Sequence, residues 1–179
     1  PFGQLMGEIS YVAQDNFLFD KSIRENIRMG NPDASDGEVE AAAKAANCHD
    51  FIMQLEQGYD TMAGDAGDRL SGGERQRITI ARAMLKQASV IILDEATAYA
   101  DPENEALIQQ AISKLVAGKS LIVVAHRLNT IRNADQILVV ANGEIVGRGI
   151  QEELLENCPL YRKMWQDYAG STEGGAEDV

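Results

Sequence analysis

The sequence predicts an α/β fold built on a parallel β-sheet that helices cover, and three observations lead to this class. Residues 89–149 alternate strand-like and helix-like segments, which is the pattern of parallel strands joined by helices. The apolar runs Val90–Leu93 and Leu121–Ala125 show no polar alternation, which predicts strands buried on both faces. Residues 15–88 are instead helical and loop-like, so they predict a helical part beside the sheet.

Local signals place the elements of the first part. A serine followed three residues later by glutamate forms a capping box, in which both residues satisfy free backbone groups at a helix start. Such boxes predict helices that begin after Ser22, Ser35 and Ser71. The other predicted elements here are a strand over residues 8–13, a short helix over His49–Leu55 and a Gly- and Asp-rich loop over residues 57–73.

The second part has its own start and stop signals. Asp101 and Pro102 predict the start of a helix, and Gly118 predicts its end. Asn142-Gly143 predicts a hairpin between two short strands. Amphipathic helices are predicted near residues 151–156 and 160–168, followed by a disordered tail over residues 169–179.

Composition limits the classes of function. A net charge of −12 argues against a nucleic-acid partner, because phosphate backbones attract basic surfaces. The apolar runs are strand-sized, far shorter than a bilayer span. Cys48 and Cys158 lack metal-ligand spacing, which favours buried or idle thiols in a reducing compartment.

Asp94 and Glu95 stand directly after a buried strand, at the carboxyl end where parallel sheets bind ligands. There the first acid can hold Mg²⁺ through water, and the second can orient or deprotonate an attacking water. His126 follows the next buried strand, where an imidazole can bond a terminal phosphate or a catalytic water. Gln14 ends the first strand and can ligate magnesium or position water. Each residue taken alone also fits a structural role.

The segment Ser71-Gly72-Gly73-Glu74 combines a capping box with two adjacent glycines. The free amides and the dipole at a helix N-terminus attract an anion such as a phosphate. Two glycines let a ligand approach the backbone closely, and they are costly if a cap is the only purpose. The alternative is a plain capped helix with a flexible lead-in.

Taken together, these motifs resemble the nucleotide-binding domain of ABC transporters in order and spacing. The likeness covers residues 8–168, and the chain departs from the usual family pattern at Glu74, Tyr99 and Ala100. The matching segments are "YVAQDNFLF" (11–19, the Q-loop), "LSGGERQR" (70–77, the signature), "VIILDE" (90–95, Walker B and the catalytic glutamate), "AYAD" (98–101, the D-loop) and "VVAHRL" (123–128, the H-loop).

The resemblance implies a P-loop NTPase (RecA-like) parallel-sheet core that lacks its N-terminal part and carries an inserted ABC-type helical subdomain. The phosphate loop Gly-x-x-x-x-Gly-Lys-Ser/Thr does not occur in the chain. Gly118-Lys119-Ser120 follows a helix and precedes a strand, the reverse of the required context. We therefore expect a chain truncated before the Q-loop, with little ATP binding of its own and an unpaired apolar edge beside the strand that ends at His126. The implied domains are residues 1–14 (end of the core strand and Q-loop), 15–88 (helical subdomain), 89–168 (RecA-like core) and 169–179 (tail).

The resemblance also implies a division of roles around ATP. Two such domains would enclose two ATP molecules head to tail, with the signature of one domain facing the nucleotide of the other. The glycine pair is therefore expected to point outward. The implied roles are Mg²⁺ binding by Asp94 and Gln14, catalysis by Glu95 and His126, binding of the partner's ATP by Ser71, Gly72, Gly73 and Glu74, and communication across the dimer by Asp101.

Residues 61–74 resemble the X-loop of exporters, with Asp65 in place of the usual glutamate. The resemblance therefore implies an export-type transporter whose partners are a membrane domain fused upstream and a second nucleotide-binding domain in a homo- or heterodimer. The implied place is the cytoplasmic face of the plasma membrane, a bacterial inner membrane. Import by the same architecture, a non-transport ABC ATPase and a truncated domain without nucleotide binding are the alternatives.

Overall fold

A computed structural model describes residues 2–94, 102–125 and 128–173. The chain forms two compact units, of which the first ends at Val124 and the second begins at Ala125. This division falls inside the segment 89–168 that the sequence assigns to one core, and the assignment of segments to functional domains stays a prediction. Among the described residues, no helix is both long and apolar enough to cross a bilayer.

A parallel sheet organises the first unit, as the sequence predicts. Its strands are β1 (Ile9–Val12), β2 (Val90–Asp94) and β3 (Ser120–Val124), in that spatial order. Val12 pairs with Leu93, and Asp94 pairs with Val124. The three strands therefore end level with one another, at one edge of the sheet.

Burial alternates along β2, so the prediction of a strand buried on both faces is wrong. Ile91 and Leu93 are buried, whereas Val90, Ile92 and Asp94 are half-exposed. The reason is that the buried side chains of β1 and β2 share one apolar cluster with two long helices. These helices are α5 (Gly72–Lys86) and α6 (Pro102–Val116).

Three shorter helices complete the described core of this unit, and their caps mostly follow the sequence. They are α2 (Ile23–Arg28), α3 (Asp36–Ala45) and α4 (His49–Gln54). Reciprocal capping boxes form at Ser35 and Ser71. At Ser22 the cap is one-sided, because the carboxylate of Glu25 pairs with Arg28 instead.

Two features of the first unit have no counterpart in the sequence analysis. A helix α1 (Phe2–Glu8) precedes β1, and all its residues are exposed. The loop predicted over residues 57–73 contains single 3₁₀ turns at Gly58–Asp60 and Asp65–Gly67. Short elements of this kind depend on tertiary contacts rather than on a local pattern.

The second unit is built on the predicted hairpin. Strands β4 (Ile137–Ala141) and β5 (Glu144–Gly149) are antiparallel, and Asn142 and Gly143 supply the positive φ angles of 52° and 81° that the turn needs. Helices α7 (Gln151–Asn157) and α8 (Pro159–Glu173) follow. Because α8 continues to Glu173, the prediction of a disordered tail is wrong for residues 169–173.

The β3 strand forms one edge of the described sheet, and all its residues are exposed. Ile122 is 52 % exposed and Val124 is 46 % exposed. An exposed apolar edge is a template for pairing with another chain. We expect the 179-residue chain to associate as its concentration rises, in agreement with the unpaired edge expected from the sequence.

Ile122→Lys should shift this association towards the monomer, because a charge on an edge strand opposes pairing. Light scattering coupled to gel filtration measures the change. The matched control is Met53→Lys, which puts the same charge on an exposed apolar position of α4. Equal association of the Ile122→Lys chain and the unchanged chain would contradict the expectation.

Candidate nucleotide-binding site

Asp94 is the last residue of β2, and Gln14 follows the end of β1 two residues after Val12. Because β1 and β2 are adjacent and parallel, both residues lie at the carboxyl end of the sheet. Asp94 is half-exposed and Gln14 is exposed. The structure thus brings to one edge of the sheet two residues that the sequence analysis selected as magnesium ligands.

A tyrosine that the sequence analysis missed orients Asp94. The hydroxyl of Tyr11 on β1 donates a hydrogen bond of 2.7 Å to Oδ2 of Asp94. This hydrogen bond raises the pKa of Tyr11 above its ordinary value, because the ionised phenol would face the carboxylate. The only signal in the sequence was an aromatic residue in a neighbouring strand, and the contact depends on the register between the two strands.

Glu95, Asp101 and His126 lie outside the described residues, so their roles stay predictions. The strands before two of them are described, however. Asp94 precedes Glu95, and Ala125 precedes His126, and Asp94 is paired with Val124. The chain therefore leaves β2 and β3 at the same edge of the sheet.

The signature segment begins α5, with Ser71 as its N-cap. Oγ of Ser71 accepts a hydrogen bond from N of Glu74 at 3.3 Å, and a carboxylate oxygen of Glu74 accepts one from N of Ser71 at 2.8 Å. The glutamate that replaces the usual glutamine is thus used to cap the helix. Ser71 itself is exposed.

The two glycines of the signature differ, which departs from the expectation that both point outward. Gly72 is half-buried, whereas Gly73 is buried. A Cβ atom at Gly73 would lie 3.0 Å from the carboxamide of Asn104 on α6. Packing against α6 therefore explains the burial of Gly73, and Ser71 and Gly72 remain as the accessible part of the segment.

The X-loop segment is held against the start of α5. Arg75 donates hydrogen bonds to the carbonyl oxygens of Gly67 at 3.3 Å and Leu70 at 2.7 Å. Gly67 has a φ of 79°, and a Cβ there would lie 2.8 Å from Cδ of Arg75. Gly67 thus allows the close approach that joins residues 61–70 to the signature.

An open groove of about 660 Å³ runs along β1, the segment after it and α5. Its apolar walls include Phe17, Phe19 and Met29, which are between 42 % and 48 % exposed. The rings of Phe17 and Phe19 meet edge to face, with their centroids 5.1 Å apart. This groove is separate from the accessible end of the signature in the chain, since α5 contributes to it through Thr79, Arg82, Ala83 and Lys86.

Asp94 and Gln14 fit a magnesium ion in their chemistry. Carboxylate and amide oxygens suit this hard cation, and the bond from Tyr11 holds the carboxylate in one orientation. The described residues contain no group of three or more His, Cys, Asp or Glu side chains arranged to hold a metal. Phosphate oxygens and water would therefore have to complete the coordination shell.

The cysteines play no part in this site. Cys48 and Cys158 are both buried and free, as the sequence analysis expects. Burial raises the pKa of the Cys48 thiol to about 12. The thiol is therefore protonated at neutral pH and is a poor nucleophile.

The chain is similar to known membrane exporters. It is 50 % identical over 162 residues to an ATP-dependent lipid A-core flippase of Syntrophus aciditrophicus, covering 90 % of this chain and 27 % of the flippase. It is 48 % identical over 163 residues to a putative multidrug export ATP-binding/permease protein of Staphylococcus aureus, covering 91 % and 28 %. It is 48 % identical over 173 residues to ATP-binding cassette sub-family B member 6 of Xenopus tropicalis, covering 97 % and 20 %.

The fold has the same relationship to a solved structure. A bacterial Atm1-family ABC exporter with ATP bound matches with a TM-score of 0.81 and 41 % identity, over 93 % of this chain and 29 % of that chain. This chain thus spans between 20 % and 29 % of the length of these proteins.

A family model places the chain more directly. The model for the ABC transporter family matches residues 3–98, which include the Q-loop, the signature and Walker B. That match covers more than half of the 179 residues. Together with the parallel sheet and the capped signature helix, it shows that this chain belongs to the ABC transporter family.

Proposed function

We propose that this chain is the C-terminal part of the ATP-binding domain of a transporter that hydrolyses ATP to drive export across a membrane. The observation that carries the proposal is the arrangement of the first unit. Gln14 and Asp94 lie at the carboxyl edge of one parallel sheet, while a capped Ser-Gly segment opens the helix that packs on that sheet. Such an edge is where α/β proteins hold nucleotides.

Asp94, supported by Gln14, is proposed to hold Mg²⁺. When bound, Mg²⁺ neutralises charge on the transferred phosphoryl group. Tyr11 keeps the Asp94 carboxylate oriented, and Glu95 accepts the proton of the attacking water. His126 donates a hydrogen bond to the terminal phosphate. Positioning and charge stabilisation carry most of phosphoryl transfer, so residues from several strands must converge.

A second copy, or a homologous domain, is the proposed partner across the nucleotide. Ser71 and Gly72 are the accessible residues of the signature, and they stand at a helix N-terminus that attracts anions. Gly73 and Glu74 support them, the first by close packing on Asn104 and the second by capping the helix. Asp101 is proposed to relay the state of one nucleotide to the other.

The membrane domain of the same transporter is the proposed partner of the groove beside β1. Three exposed apolar side chains, Phe17, Phe19 and Met29, line it. Met62 in the X-loop is a further exposed apolar residue, and it bridges to Ser22 at the start of α2. Apolar helix ends from the membrane domain suit such a surface. The names of the relatives favour export, and the cytoplasmic face of a bacterial inner membrane is the proposed location.

The proposal is tested on two polypeptides, the full-length protein that carries this chain and the 179-residue chain alone. We expect the full-length protein, in lipid nanodiscs, to hydrolyse ATP with an absolute requirement for Mg²⁺. The chain alone should bind little or no ATP in equilibrium dialysis, because the phosphate loop is absent from its sequence. Absence of hydrolysis by the full-length protein contradicts the proposed function, and tight ATP binding by the chain alone contradicts the dependence on a phosphate loop.

A further inference from the structure

Arg82 on α5 forms a three-way junction that the site described above does not use. Its Nε donates to the carbonyl oxygen of Asn26 at 2.8 Å, and Nη2 donates to Oδ1 of the same residue at 3.1 Å. Its Nη1 donates to the carbonyl oxygen of Phe17 at 3.4 Å. One guanidinium group thus joins α5 to α2 and to the segment that follows Gln14.

Asn26 extends this junction to Phe19. The Asn26 side chain is completely buried. Its Oδ1 accepts a hydrogen bond from N of Phe19 at 2.9 Å, and its Nδ2 donates one to the carbonyl oxygen of Phe19 at 3.0 Å. A buried amide with both ends satisfied fixes the backbone that it contacts, because breaking either bond leaves a polar group unpaired.

A second contact reaches the same segment one helical turn earlier on α5. Oγ1 of Thr79 lies 3.1 Å from Oδ1 of Asn16. Nδ2 of Asn16 in turn donates to the carbonyl oxygen of Gln14 at 3.3 Å. Thr79 and Arg82 are three residues apart, so they face the same side of the helix.

The opposite end of this helix carries the signature. α5 runs without interruption from Gly72 to Lys86, and Ser71 is its N-cap. Within a continuous hydrogen-bonded helix, Thr79 and Arg82 cannot move independently of Ser71. The segment from Gln14 to Phe19 and the signature are therefore held by one element.

We propose that Arg82 and Thr79 are positioning residues that link Gln14 to the signature of the same chain. The proposal rests on the proposed function, in which Gln14 serves one ATP and Ser71 serves the ATP of the other domain. A rigid link between them makes binding at one nucleotide site favour the competent geometry at the other. Arg82 and Thr79 thereby contribute to positive cooperativity between the two ATP sites.

The test is the dependence of the hydrolysis rate on ATP concentration in the full-length protein. We expect a Hill coefficient above unity for the unchanged protein, and a coefficient close to unity for Arg82→Gln and Thr79→Val. The value of kcat should fall about tenfold in Arg82→Gln, the loss expected when bonds from a charged donor are removed. Arg82→Lys should resemble Arg82→Gln, because an ammonium group cannot occupy the three positions of the guanidinium fork.

Two variants separate this link from a general loss of structure. Thr79→Ser keeps the hydroxyl and should restore the Hill coefficient that Thr79→Val loses. Arg28→Gln is the matched control, since Arg28 also donates from Nε to a backbone carbonyl, that of Ala34 at 3.1 Å, but does not contact the Gln14 segment. Arg28→Gln should leave the Hill coefficient unchanged even where it lowers thermal stability.

Each outcome of this experiment has a defined meaning. An unchanged protein that hydrolyses no ATP contradicts the proposed function. An unchanged protein that hydrolyses ATP without cooperativity contradicts the link alone. The link is also contradicted by cooperativity that survives in both Arg82→Gln and Thr79→Val, or that is lost equally in Arg28→Gln. Amide hydrogen exchange gives an independent readout, because residues 15–19 should exchange faster in Arg82→Gln than in Arg28→Gln.

Discussion

Replacing Glu95 by glutamine in the full-length protein is expected to lower kcat for ATP hydrolysis at least about a hundredfold, the range typical for loss of a general base. Glutamine has nearly the same shape as glutamate but cannot accept the proton of the attacking water. ATP binding should persist, because Asp94, which we assign to the metal, is unchanged. ATP should therefore accumulate in the closed dimer.

Phosphate release measures the loss of hydrolysis, and ATP retained after rapid gel filtration measures the trapped state. The matched control is Glu105→Gln, which removes an exposed carboxylate near the start of α6. That variant should hydrolyse ATP at the rate of the unchanged protein. Turnover by Glu95→Gln at that same rate would exclude Glu95 as the base and would leave His126 as the remaining candidate.

The sequence predicts those parts of the fold that local chemistry determines. Capping boxes located the starts of α3 and α5, and Asn142-Gly143 located the hairpin. The carboxyl end of β2 could be predicted because an apolar run ends abruptly at Asp94. Signals of this kind depend on a few neighbouring residues, so they do not require knowledge of the tertiary structure.

Contacts between distant residues were beyond the same reasoning. The Tyr11–Asp94 hydrogen bond joins residues on two strands, and its formation depends on their register. The burial of Gly73 depends on how α6 crosses the start of α5. The one-sided burial of β2 depends on which layers cover the sheet, which an apolar run does not specify.

The junction at Arg82 illustrates the same limit at a site of proposed function. Arg82 lies in the apolar-patterned part of α5, where an arginine gives no indication of its partners. Only the structure shows that its guanidinium reaches Asn26 and Phe17, which are 56 and 65 residues away in the sequence. Segments that approach so closely restrict the size of the residues between them, and Gly30 shows this restriction.

Gly30→Ala is expected to destabilise the first unit by about 3 kcal/mol, the upper part of the range for overpacking. Gly30 follows α2, and a Cβ there would overlap the carbonyl oxygen of Arg82 and lie 3.3 Å from N of Lys86. These atoms belong to the backbone of α5, so relief of the overlap requires that two helices separate. Urea unfolding followed by circular dichroism measures the change, with Gly37→Ala as the control. Gly37 lies in α3 with open space around its Cβ position, so alanine there should stabilise by about 0.5–1 kcal/mol. Equal unfolding midpoints for the two variants would show that α2 and α5 do not approach as closely as the Arg82 junction requires.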